Sequence, residues 1–320
     1  MPANTLLLAI AAGLISAVVF ASATTGPMLA RFVLFFLTPL SLYLAGLGLG
    51  ASAAAIAVVV ATTTILALTS PLTAFVYALS TGVPAVVTTR LALMSRTDGE
   101  TSAWYPIGRI VAAAAIFAGV LAALVMLLLG GDTETLTKAL HGIVETFAKN
   151  EMPKMAGAPE ITPQLIDEMT NTTLKTLPWA LGVVASVTIL LNLWLAGRIT
   201  LASGRLVRPW PDLSAISMPP AASLALLAAT AATFAGGMPG LVASGFAGAF
   251  TLGFAVVGLA VAHVFSRGNP WRNFILSALY AALIVFLGPV SLILAIVGLA
   301  ETVFHYRAAH LNSGPPSPSA

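Results

Sequence analysis

The sequence predicts an all-α fold: a polytopic transmembrane helical bundle of about 8–10 spans with one extracytoplasmic helical hairpin inserted among them. Three observations carry this. Of the 320 residues, 58% are hydrophobic and only 8% are charged, against about a quarter charged in an ordinary soluble domain. A soluble chain must cover its surface with polar groups, and this one has too few, so lipid is the solvent that fits it. Apolar runs of spanning length recur along the chain, and the charged residues between them are sorted by sign.

With about 20 apolar residues needed to cross the hydrocarbon, the spans read as 4–22, 31–49, 51–69, 71–92, 107–130, 178–197, 219–236, 240–264, 272–287 and 289–306. Prolines mark two of the breaks, Ser70-Pro71 and Gly288-Pro289, because proline ends a helix and suits the start of the next. The first run lacks the basic stretch that opens a secretory signal, so it reads as a retained span although Ala21-Ser22-Ala23 has the small residues of a cleavage site. Residues 1–310 form one membrane domain on this reading, and 311–320, rich in proline and serine, form a disordered tail.

Orientation follows from charge. All four lysines (Lys138, Lys149, Lys154, Lys175) and seven of the 11 acids fall within 131–177, which carries a net −3. The arginines lie elsewhere, nearly all at span ends: Arg90, Arg96 and Arg109; Arg198, Arg205 and Arg208; Arg267 and Arg272; Arg307. Cytoplasmic loops carry the excess of Lys and Arg. Walking the spans alternately puts every arginine cluster on that side, the acidic segment outside, and both termini in the cytoplasm. The expected location is a bacterial inner membrane. Arg31 is the exception, at the outer end of the second span. It is either an interfacial anchor beside Pro27 or a charge lining a cavity.

The acidic segment is itself patterned. Leu136, Leu140, Ile143, Val144 and Phe147 recur at helical spacing behind a cap at Asp132 or Thr133, and Thr162-Pro163 opens a second apolar face of Leu165, Ile166, Met169 and Leu174. This predicts a helical hairpin on the outer membrane face.

Several polar or small-residue patterns within the spans are candidate sites. Ala9, Gly13, Ala17 and Ala21 form a stripe four residues apart on the first span, which lets helix backbones approach closely, within the bundle or against a partner subunit. Gly245, Ala249 and Gly253 repeat it. Asn192 is an amide inside the sixth span and calls for a partner on another helix. The run Arg205-Leu-Val-Arg208-Pro-Trp210-Pro-Asp212 follows that span, with Arg208 spaced to pair with Asp212. Glu301 is the acid within the apolar part of a span. It has His305 one turn on and Arg307 beyond, and reads either as a functional intramembrane carboxylate or as one satisfied by these neighbours.

Enzymatic chemistry finds no motif. The sequence has no cysteine, no P-loop spacing, no His-Glu-x-x-His, and four scattered histidines. No cofactor and no metal site is expected, and with no Lys/Arg stripe no nucleic-acid partner.

The stretch Arg31 to Gly48 (Arg-Phe-Val-Leu-Phe-Phe-Leu-Thr-Pro-Leu-Ser-Leu-Tyr-Leu-Ala-Gly-Leu-Gly) resembles the opening signature of the YybS-like family of predicted integral membrane proteins. So do Asn192 to Arg198 with Arg208 to Leu213, and the closing Gly298-Leu-Ala-Glu301 with Arg307. The family is uncharacterised, so the resemblance implies membership without an activity. It is similar, more remotely, to the substrate-capture subunits of energy-coupling-factor transporters. That likeness implies that Ala9, Gly13 and Ala17 meet a coupling subunit, although those subunits generally have about six spans. Two functions follow as expectations: a transport-related component that binds a small solute or couples to another membrane subunit, or a structural or assembly factor of the cell envelope acting through its external hairpin.

Overall fold

The computed structural model describes residues 1–23, 27–98, 101–154, 157 and 159–312. The eight terminal residues of the expected tail lie outside them. Among the described residues, eight helices or helix pairs are long and apolar enough to cross a membrane, and two shorter apolar helices accompany them. The structure is thus an all-α polytopic bundle.

In chain order, α1 (Ala3–Ser22) is followed by α2 (Met28–Leu37) and α3 (Leu40–Leu49), which are two parts of one span. α4 spans Ala51–Leu68. α5 (Pro71–Tyr77) and α6 (Val83–Leu93) make the fourth span, joined by a π-helical turn at Ala78–Gly82. The break expected at Ser70-Pro71 forms, and Ser70 caps α5: its side chain accepts from the Thr73 N–H, and Pro71 takes the first helical position.

Three features of this half are absent from the hydropathy reading. The second span breaks at Thr38-Pro39, because proline has no N–H for the carbonyl one turn before it. The π turn sits just ahead of Pro84, whose missing N–H shifts the hydrogen-bond register in the same way. After α6, β1 (Ser95–Asp98) pairs antiparallel with β2 (Thr101–Trp104), Ser95 opposite Trp104.

The second half opens with α7 (Ile107–Leu129) and α8 (Thr133–Asn150), the latter capped by Asp132, which accepts from the Thr135 N–H at 2.9 Å. Next comes α9 (Pro163–Ala202), a single helix of 40 residues. At 1.5 Å per residue it is about 60 Å long, twice the hydrocarbon thickness. The expected hairpin and sixth span therefore share one helix: the first part of α9 lies against α8 and the rest runs through the bundle. A boundary at Pro178 does not form, because Leu174, Leu177 and Leu181 carry one apolar face straight past the proline onto Met126, Leu136 and Leu140. A second cluster, Val144, Ala148, Met152 and Ile166, joins the far ends of α8 and α9.

The last elements are α10 (Pro220–Ala232), α11 (Gly237–Phe265), α12 (Arg272–Val285), α13 (Leu287–Phe304) and α14 (Tyr306–Asn312). The break between α12 and α13 falls at Phe286, two residues ahead of the expected Gly288-Pro289. α11 is the axis of this half, packed mainly on α13, α9 and α7. The apolar core forms two clusters. One gathers side chains of α1, α3, α4, α5 and α6, the other those of α7, α9, α10, α11 and α13. Ile110 of α7 and Ala196 of α9 belong to the first cluster and join the two halves.

Glycine sets how closely the helices cross. A Cβ on Gly182 would lie 2.0 Å from the Gly245 carbonyl oxygen, and one on Gly248 2.1 Å from that of Trp179. α9 and α11 thus meet backbone to backbone, the arrangement that favours helix association in lipid.

Candidate functional site

The break at Thr38-Pro39 leaves carbonyl groups within a span, and polar side chains from two other spans bond to them, with a third span joined through one of these side chains. Thr38 Oγ1 donates to the Leu34 carbonyl at 2.9 Å. Ser16 Oγ of α1 donates to the Thr38 carbonyl at 2.7 Å. Since that uses the one hydroxyl hydrogen of Ser16, the Tyr77 hydroxyl must be the donor in its 2.6 Å bond to Ser16 Oγ. Asn192 Nδ2 of α9 donates to the Phe36 carbonyl and to the Thr188 carbonyl, both at 2.7 Å. The two discontinuous spans are thereby tied together through Ser16, with Tyr77 standing at the edge of the π turn.

This seam is deeply buried: Ser16, Tyr77 and Asn192 are each 0% exposed and Thr38 4%. Both hydrogens of the Asn192 amide are engaged, so its oxygen faces the other way. Among the described residues Oδ1 has no hydrogen-bond partner. It is one of four buried side-chain atoms in that condition among the described residues, the others being on Thr62, Ser223 and Arg272. Of these four residues only Asn192 is itself fully buried. Buried polar groups are nearly always paired, and an orphan acceptor calls for a donor or cation to meet it.

A second polar cluster closes the arginine-bearing end. Glu301 and Arg307 are 5% and 8% exposed. Arg307 Nε donates to Glu301 Oε1 at 2.9 Å and the Arg307 N–H to Oε2 at 3.1 Å. The remaining guanidinium nitrogens donate to the carbonyls of Ser214 and Ile216, the latter at 2.8 Å. His305 makes the reversal possible. It ends α13 in the left-handed conformation (φ 54°) and is itself exposed, so of the two expected neighbours it is Arg307 that folds back onto Glu301.

The Arg205–Asp212 run is the strap beneath this cluster. Arg208 and Asp212 take separate partners, not each other. Arg208 reaches the Ala92 carbonyl at the end of α6 (3.2 Å) and lies over the Trp104 ring. Asp212 caps the turn that follows, accepting from Ser214 N–H and Oγ at 2.9 and 2.6 Å. These bonds, with Arg267 and Arg307 nearby, hold its carboxyl below the usual aspartate value. Trp210 stacks under Arg198 and fills the space beside Gly197. Arg205 is exposed. The strap thus fastens the ends of α6, α9, α11 and α13 together, with Arg267 completing it through Ser214 Oγ.

The small-residue stripe is occupied inside the chain. Ala9, Gly13 and Ala17 are buried, and a Cβ on Gly13 would lie 2.4 Å from the Ala57 carbonyl oxygen of α4. Ala21, at the end of the stripe, is exposed. Arg31 is exposed on α2, among the outward-facing Leu29, Phe32 and Phe35. Of the intramembrane polar candidates read from the sequence (Arg31, Asn192, Glu301 and His305), Asn192 lies in the seam and Glu301 in the second cluster, while Arg31 and His305 are exposed. The sequence reading missed Ser16, Thr38 and Tyr77, for which the one signal was Thr38-Pro39 in the middle of an apolar run.

Compared with known proteins, residues 14–302 match the model of a family described as "Predicted membrane protein (DUF2232)". No curated protein and no solved structure matches.

Proposed function

The chain belongs to the DUF2232 family of predicted membrane proteins, and on that premise we propose that it is a transport-related inner-membrane protein that receives a small solute or ion at the seam of Ser16, Thr38, Tyr77 and Asn192. The observation that carries this reading is the unpartnered Oδ1 of a fully buried Asn192, set against a broken span. Irregular backbone at membrane depth is tolerated only where protein or a cavity covers it, and in transporters such breaks hold the cargo or the coupling ion.

The test is purification in mild detergent, with mass spectrometry of whatever accompanies the protein. A small molecule or cation should accompany the wild type and be absent from Asn192→Ala. An intramembrane side-chain hydrogen bond contributes about 0.6–2 kcal/mol, so the variant should still fold, and its melting temperature checks that. An empty wild type carrying a defined protein partner would overturn the proposal. It would favour an envelope assembly factor acting through α8 and the first part of α9, a reading supported by the separate apolar core of that pair.

The orientation belongs to the same proposal: both termini and the arginine strap in the cytoplasm, α8 outside. It is supported by the charge sorting and by α9 being twice as long as the bilayer requires. Because the chain has no cysteine, single-cysteine labelling has no background. Glu160→Cys should react with a membrane-impermeant maleimide once the outer envelope is opened, and Arg205→Cys only after the inner membrane is breached. The reverse pattern would invert the topology.

A further inference from the structure

A cavity of about 390 Å³ lies at the other end of the bundle from the strap, lined by Thr133, Leu174, Lys175, Thr233, Leu241 and Ser244 together with glycines of the α10–α11 connection. Its walls come from the start of α8, the middle of α9, the end of α10 and the start of α11. The glycines shape it. Gly236 and Gly237 both have positive φ (68° and 55°), where a side chain would strain the backbone, so one wall stays bare. A Cβ placed on Gly237 would stand 3.9 Å from Thr133 Oγ1, which is how closely α8 closes on that wall.

The charge in this cavity is distinctive. Three of the four lysines hold a glutamate on their own segment: Lys138 with Glu134, Lys149 with Glu145 and Lys154 with Glu151. Lys175 has no ion pair among the described residues and lines the cavity instead. The acids closest in sequence to Thr133 are engaged elsewhere, Asp132 in capping α8 and Glu134 with Lys138. The cavity also straddles a chemical boundary. Lys175 stands three residues before Pro178, where the charged part of α9 gives way to its apolar part, and Leu174 and Leu241 supply apolar wall. One cation and three hydroxyls beside apolar surface, at the edge of the hydrocarbon, match a molecule with one anionic head and an apolar chain.

We propose that this cavity binds the head of an anionic amphiphile, a phosphate or carboxylate carrying an alkyl chain, with Lys175 as its charge partner. The site is independent of the Asn192 seam and stands or falls separately.

The full chain, purified in dodecyl maltoside, would be titrated with dodecyl phosphate while its thermal unfolding is followed. The neutral detergent shares the alkyl chain, so the titration reads the anionic head. A ligand that binds only the folded state raises the melting temperature, and a saturable rise is expected. Losing one charge-assisted bond should move the half-saturating concentration up by about 10-fold or more in Lys175→Gln. Lys175→Arg should retain binding, and Lys138→Gln, on a lysine outside the cavity that is paired with Glu134, should match the wild type. Ser244→Leu, which narrows the cavity from the α11 wall, should weaken binding with Lys175 intact. The proposal is overturned if no saturable rise occurs, or if Lys175→Gln responds like the wild type. It is equally overturned if inorganic phosphate at the same concentration gives the same rise, because the alkyl chain would then contribute nothing.

Discussion

Replacing Glu301 by alanine is expected to destabilise the folded protein by about 3–5 kcal/mol, the cost of removing one member of a buried ion pair. The size follows from what is left behind. Arg307, 8% exposed in the wild type, would lose its directly bonded carboxylate, with two guanidinium nitrogens still held by the Ser214 and Ile216 carbonyls and the Asp212 carboxyl nearby as the remaining negative charge. The loss should be far from additive. In Glu301→Ala/Arg307→Ala the orphan charge is gone, so the double variant should recover a large part of the stability lost in the single one. Thermal unfolding of the wild type, both single variants and the double variant, in one detergent, measures the coupling. A coupling under about 1 kcal/mol, the range of an exposed pair, would mean that the strap does not seal this cluster. A large coupling would assign Glu301 the structural role of locking α13 and α14 onto the strap, leaving the Asn192 seam as the intramembrane polar site open to a ligand.

The second large effect is expected at Gly298. A Cβ there would lie 2.0 Å from the Phe254 carbonyl oxygen, and across the same crossing a Cβ on Gly258 would lie 2.0 Å from the Leu294 carbonyl oxygen. Each glycine receives the backbone of the other helix, and backbone cannot rotate aside as a side chain can. Gly298→Ala should therefore force α11 and α13 apart and cost about 2–3 kcal/mol, the upper part of the range for overpacking a core. Gly142 is the control. It lies on the exposed face of α8, and a Cβ added there would meet nothing within 4 Å. Gly142→Ala should thus stabilise the helix by about 0.5–1 kcal/mol. Melting temperatures that fall for the first and rise for the second would separate helix propensity from helix contact. A Gly298→Ala protein as stable as the wild type would mean that the crossing is looser than this geometry.

Where a signal is local, the amino-acid order carried it. The run 107–130 became α7 at Ile107–Leu129, and 240–264 became most of α11. The caps at Asp132 and Thr162 form with residues named for them, and the break named at Ser70-Pro71 is where α5 begins. The expected membership of a family of predicted membrane proteins holds as well. Hydropathy and capping act within one or two turns of chain, so a window of that size contains their cause.

The tertiary structure decided whatever depends on a distant residue. Pro178 looked like a boundary, but leucines on both sides of it share one packing face, and α9 runs through. The stripe of Ala9, Gly13 and Ala17 had the spacing for a partner subunit, and which surface it meets depended on where α4 lies. Arg208 was spaced for Asp212 and bonded instead to Ala92, 116 residues away. Asn192 found Phe36 across 156 residues. Composition and period thus determined that this chain is a helical membrane bundle and roughly where its helices run, because each helix satisfies its own backbone locally. Which polar groups meet inside it had to await folding, because a buried donor or acceptor can be matched only by whatever the packing of other helices brings within about 3 Å.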